Sequence, residues 1–140
     1  MLMMGNREIA EREEAMRLEE CYNDFGGSYE DAMGRLQSEA LVQRFALKFL
    51  KDPSYERLYQ AMQAEDYREA FRAAHTLKGL CGNLGFLRLG EFSSQLTELL
   101  RNEDEVESNL AASRETMEKV TESYQAVVRA LEKLQEEVEG

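Results

Sequence analysis

Leu110, Met117, Val120, Tyr124, Val127, Leu131, Leu134 and Val138 form one heptad seam near the end of the chain, interrupted only by Ser113. Such a stripe demands a long helix with a neighbour along its length, because an apolar seam left in water is costly. The helix is predicted from about Val106 to Val138, and by the helical rise it spans roughly 50 Å. Its flanking positions, among them Thr121, Ser123, Val128, Ala130 and Gln135, are mostly uncharged. That suits an antiparallel bundle within one chain better than a two-stranded coil zipped by ion pairs. A monomer is the preferred reading, with an overhanging end or a dimer through the C-terminal helix left open.

The rest of the chain agrees with an all-α class. Proline occurs once, and Ala, Leu, Glu, Arg, Met and Gln dominate, a vocabulary of helices rather than sheets. With 140 residues there is material for one core. Arg7 to Tyr22 reads as a charged helix with a thin stripe of Ile9, Met16 and Cys21, stopped by Phe25-Gly26-Gly27, and its Met-rich start is expected to be disordered. Ser28 to Leu36 is a short helix. Ser38 opens another, with Leu41, Val42, Phe45, Phe49 and Leu50 on one face, and Pro53 ends it. Ser54 is expected to cap a helix carrying Leu58 and Met62, and Asp66 with Glu69 signals the start of the next. That helix contains His75 and should stop near Gly82 to Gly85. Phe86 to Arg101 is amphipathic, and Asn102-Glu103-Asp104 makes the turn before the seam. Residues 1–20 are thus expected to form an N-terminal extension, partly helical or disordered. Residues 21–140 form the bundle domain, including the long helix 106–138.

Charge and inventory exclude several functions. A formal net charge of −11 argues against a nucleic-acid binder and against anionic membrane surfaces, both of which call for clustered Lys and Arg. Cys21 and Cys81 lie far apart with no C-x-x-C pairing, and a lone histidine cannot complete a zinc or di-iron site, so no metal is expected. No apolar run is long enough to span a bilayer, and Met1 to Asn6 is too short for a signal peptide. The expected location is the cytoplasm, with both thiols reduced.

One helix carries chemistry. On a wheel of about 100° per residue, Leu84, Leu77, Ala70, Cys81, Ala74 and Tyr67 gather into one arc and His75 lies outside it. Arg68, Arg72, Gly79 and Gly82 flank the histidine on the exposed side, Lys78 stands a turn further along, and Phe71 marks the edge of the core. Each interior glycine costs about 1 kcal/mol of helix stability relative to alanine, so two beside an exposed histidine need a reason. Either Gly79 permits close helix packing and Gly82 begins the cap, or both keep a surface bare for a partner. Arg68, Arg72, Lys78 and Arg88 appear as a cationic cluster in an acidic chain, suited to holding a phosphate.

The run Ala74-His75-Thr76-Leu77-Lys78-Gly79-Leu80-Cys81-Gly82-Asn83-Leu84-Gly85 closely resembles the phosphoacceptor motif of the histidine phosphotransfer (HPt) domain family, H-x-L-K-G followed by L-G. The likeness extends more loosely from about Cys21 to Arg101. Leu80 departs from the small residue that many members carry after the motif glycine, which points to a local packing difference. The resemblance implies an antiparallel, up-down four-helix bundle, here with additional short N-terminal helices. It implies His75 as phosphoacceptor and Lys78 as phosphate stabiliser. It also implies receiver domains of response regulators as partners, with a hybrid histidine kinase as a further candidate. No bound cofactor is expected, and Mg²⁺ is expected on the partner receiver. No P-loop or kinase glycine loop is present, so the chain should carry phosphate without making it from ATP. The alternative reading is a non-catalytic helical adaptor that docks signalling partners without phosphorylation. For the partner surface, Arg68, Arg72, Gly79, Gly82 and Phe71 are the candidates.

Overall fold

The computed structural model describes residues 4–140, and among them it contains seven α-helices, two 3-10 turns and no strand. The helices are α1 (Asn6–Asp24), α2 (Tyr29–Leu36), α3 (Glu39–Lys48), α4 (Ser54–Gln63), α5 (Tyr67–Leu84), α6 (Leu87–Leu100) and α7 (Leu110–Glu139). The expectation of a disordered Met-rich start falls, for residues 1–3, outside the described residues. No helix among the described residues is long and apolar enough to cross a membrane.

The helix ends follow local chemistry. Ser28, Ser38 and Asp66 each accept a backbone N–H from three residues on, which satisfies one of the donors left free at a helix start. Ser54 does not cap α4 as expected. It is the first helical residue and is buried, while Asp52 reaches past Pro53 to accept the Ser54 N–H at 2.8 Å. The last helix begins at Leu110 rather than Val106. Residues 102–109 are taken up in crossing from α6, with a 3-10 turn at Glu103–Glu105 and the Asn109 side chain donating to the Leu99 carbonyl.

The central helix is α5, in contact with α4 on one side and α6 on the other, while α7 packs on α6 and α1 on α7. Ala70, Ala73, Ala74, Leu77, Cys81 and Leu84 form its buried face. Three alanines let neighbouring helices approach closely there, and Leu58, Leu89, Leu96, Leu100, Val120 and Val127 fill the interior around them. The seam of α7 is buried from Met117 to Leu134 except for the half-buried Tyr124, and Val138 beyond it is 41% exposed.

The N-terminal helix departs from its predicted stripe. Leu18, Cys21 and Tyr22 are buried, whereas Ile9 and Met16 are exposed. Arg17, Cys21 and Asp24 lie against Ala130, Leu134 and Glu137, so α1 runs antiparallel to α7 and its first turns pass beyond that helix's end. The helix is continuous through residues 20 and 21, and its second half shares the core of the bundle.

A corner fixes the end of α5. Gly85 takes a left-handed φ of 73°, and an added Cβ would lie 2.5 Å from the Ser28 carbonyl oxygen. The Ser28 N–H donates to the Gly85 carbonyl at 2.8 Å, and the Arg88 N–H to that of Gly26 at 3.2 Å. The Tyr22 hydroxyl donates to the Leu84 carbonyl at 2.7 Å, supplying an acceptor at the helix end with its missing partner. Beneath these bonds Tyr22, Phe25, Phe49 and Phe86 meet edge to face or tilted, with centroids 4.9 to 5.7 Å apart. The α1–α2 turn and the α5–α6 turn are thereby clamped together, which holds the axis and rotation of α5.

Candidate functional site

The rotation of α5 decides what its outer face offers. With the alanine and leucine arc buried, His75, Arg68, Arg72, Gly79 and Gly82 all emerge exposed, and Lys78 and Phe71 are half-buried at the edges. Lys78 can keep its aliphatic stem on the protein and its ammonium in water. Tyr67, expected in the apolar arc, is only half-buried.

The two glycines of this face are bare without structural need. A Cβ at either Gly79 or Gly82 would meet nothing within 4 Å, and neither residue has positive φ. Close helix packing therefore does not account for Gly79. Gly90 on α6 is the glycine that helix packing does use, since a Cβ there would sit 3.1 Å from the Cys81 Cβ.

The predicted ring of cations is smaller than expected and partly paired. The Arg68 guanidinium meets the Glu103 carboxylate at 2.7 Å and that of Arg72 meets Glu69 at 3.6 Å, all four side chains being substantially exposed. Exposed pairs of this kind contribute about 0–1 kcal/mol, so either arginine can exchange its carboxylate for a phosphate or a partner's acid at little cost. Arg88 does not belong to the group. Its guanidinium lies against Gly26, where an added Cβ would meet Cζ at 2.7 Å. Arg88 follows the Gly85 corner, about 15 Å along α5 from His75 by the rise of a helix.

Other residues come to the site from α6, and the sequence reading missed them. The Arg101 guanidinium sits over the Phe71 ring, 5.3 Å from its centroid, and donates twice to Glu98, at 2.8 and 3.2 Å. The hydrogen bond from Arg101 is the main reason the Glu98 carboxyl is held below its usual range. Slight burial opposes it, and the charges of Arg101 and Lys78 reinforce it. Glu98 thus lies within reach of the Lys78 charge. A signal for Arg101 was present: a tight reversal at Gly85 makes α5 and α6 antiparallel, and Phe71 and Arg101 stand at similar distances before and after it.

Beside the bare face, Leu80 and Asn83 of α5 join Arg35, Leu36, Phe45 and Lys48 along a groove of about 660 Å³. This accounts for Leu80 in structural terms: the half-buried side chain lines a wall between α2, α3 and α5. Among the described residues no three His, Cys, Asp or Glu side chains gather as metal ligands would.

Chemically, the arrangement presents one nucleophilic imidazole on an open surface, with a lysine one turn away and two exchangeable arginines. The family model described as the Hpt domain matches residues 52–138, more than half of the chain, from just before α4 to the last turn of α7. A search of curated proteins and a search of solved structures each find no match.

Proposed function

The chain belongs to the Hpt domain family, phosphoryl-carrier modules of phosphorelays without kinase activity of their own, and on that premise we propose that His75 is its phosphoacceptor. The observation that carries this reading is the exposed imidazole on a helix face that Gly79 and Gly82 leave bare with no steric reason. A receiver domain's aspartyl phosphate has to bring its phosphorus to a ring nitrogen in line, and side chains at those two positions would stand in the way.

In the proposed step, neutral His75 attacks phosphorus through Nε2, with the ring proton on Nδ1. The N–P bond forms as the bond from phosphorus to the aspartyl oxygen breaks, and the carboxylate leaves with the electron pair. The reverse step passes the group to a second receiver. Lys78 offsets charge on the phosphoryl oxygens, and Arg68 and Arg72 trade their acidic neighbours for the incoming partner. Mg²⁺ is expected on the receiver. Hpt domains generally work with receiver domains and histidine kinases. For this chain the receivers of response regulators, and a hybrid histidine kinase, are the proposed partners.

The test is transfer of label from a panel of phosphorylated receivers. Wild-type protein should gain acid-labile, base-stable label, His75→Gln should gain none while keeping its helical signal, and Lys78→Ala should slow transfer or shorten the adduct's life. Label that persists in His75→Gln would refute the assignment, and an unchanged Lys78→Ala would remove Lys78 from the site.

A further inference from the structure

An exposed imidazole on a helix ordinarily rotates about both of its side-chain torsions, and among the described residues no side-chain hydrogen bond is made by the His75 ring. Its aromatic neighbour is Phe71, one turn earlier on α5, with ring centroids 6.2 Å apart and planes inclined by only 18°. Phe71 is itself held. Its ring is half-buried at the edge of the bundle, and the Arg101 guanidinium, fastened to Glu98, lies over it at 5.3 Å. The chain of support runs from the end of α6, through Arg101, to Phe71 and then to the imidazole.

We propose that Phe71 is a positioning residue for phosphotransfer: its ring, steadied by Arg101, stacks against His75 and holds the imidazole plane so that a nitrogen edge faces the incoming phosphorus. The inference rests on His75 being the phosphoacceptor. It differs from a docking role for Phe71, because the contact that matters is the ring's own with His75 and not one with the partner. In-line attack tolerates little angular error, and losing a preset orientation lowers the rate within the complex rather than the affinity for the partner.

Phe71→Leu keeps an apolar side chain at the edge of the core and removes the stack, and Phe71→Tyr keeps both. With a receiver that labels the wild-type protein, Phe71→Leu should lower the saturating single-turnover rate of transfer about tenfold, within the range that small misplacements cost, and leave the half-saturating receiver concentration unchanged. Phe71→Tyr should restore the rate. In proton NMR spectra the His75 ring resonances should shift in Phe71→Leu, as the ring current of a stacked neighbour is lost, and return in Phe71→Tyr. A raised half-saturating receiver concentration with an unchanged saturating rate would make Phe71 a docking contact, and His75 resonances identical in wild type and Phe71→Leu would show that no stack exists; either overturns the proposal. If wild-type protein takes no label from any receiver, the phosphorelay reading itself falls, and the wild-type reaction alone tells that failure from failure of the positioning role.

Discussion

Gly79 and Gly82 lie on the same helix as the corner at Gly85, within two turns of it, yet the two regions use glycine for opposite reasons. At the corner the backbone is left-handed and the Ser28 carbonyl occupies the space of a side chain, and across the α5–α6 contact Gly90 presses on Cys81. There the missing side chain is a condition of the fold. On the outer face the glycines are helical in φ with open space around them, so the fold would accept alanine and gain from it. On the proposed function, a residue that costs stability and relieves no crowding inside the molecule is there for what approaches from outside. The same motif therefore contains a half that the fold requires and a half that it does not, and the proposed function assigns the second to an approaching partner.

The sharpest way to break this division is Gly85→Ala. A left-handed alanine costs about 1–2 kcal/mol, and moving the Ser28 carbonyl adds to it, so urea unfolding should show a loss of about 2 kcal/mol or more. A loss within a few tenths would erase the distinction between corner and face. Gly79→Ala should act in the opposite sense, stabilising the protein by up to about 1 kcal/mol while slowing transfer from a phosphorylated receiver to His75. Faster or unchanged transfer in a more stable variant would mean that bareness at this position serves no partner.

At neutral pH the smallest effect concerns the two buried thiols, Cys21 and Cys81. Burial, then the Asp52 charge, pushes Cys81 up to about 12, and Cys21 rises similarly through burial and the charges of Asp24 and Glu137, with Lys133 opposing. Both thiols should react with a thiol reagent far more slowly in the native protein than in urea. Because each folded value lies above the unfolded one of about 9, their contribution to stability is complete below that pH and declines as pH rises towards 12. Thermal unfolding should shift to lower temperature over that window. The double variant Cys21→Ala, Cys81→Ala should lose part of the slope. Rapid native labelling of Cys81 would mean that the α5–α6 contact opens readily.

The legibility of the sequence was uneven for physical reasons. Helix positions followed from caps and periodicity, because Ser28, Ser38, Asp66 and the glycines act on their own immediate backbone. Where a cap acted across a proline, as Asp52 does for α4, the local pattern pointed to the wrong residue. The exposed row of His75, Gly79 and Gly82 was readable on a wheel because every neighbour on one helix obeys the same geometry. Arg88 was misplaced by that logic, since its position depends on a turn, and beyond the turn the wheel has no authority.

By itself the sequence determined an all-helical chain, the buried and exposed sides of α5, and a motif that places a histidine, a lysine and two glycines on one surface. Those are local consequences of the helical repeat. Only the tertiary structure decided that α1 lies antiparallel on α7, that Gly79 is free of any packing duty, and that Arg101, just past the end of α6, lies over Phe71 beside His75. Such facts depend on which helices meet and at what register. Register is settled by the summed packing of many side chains and by the clamped corner at Gly85, not by any residue alone.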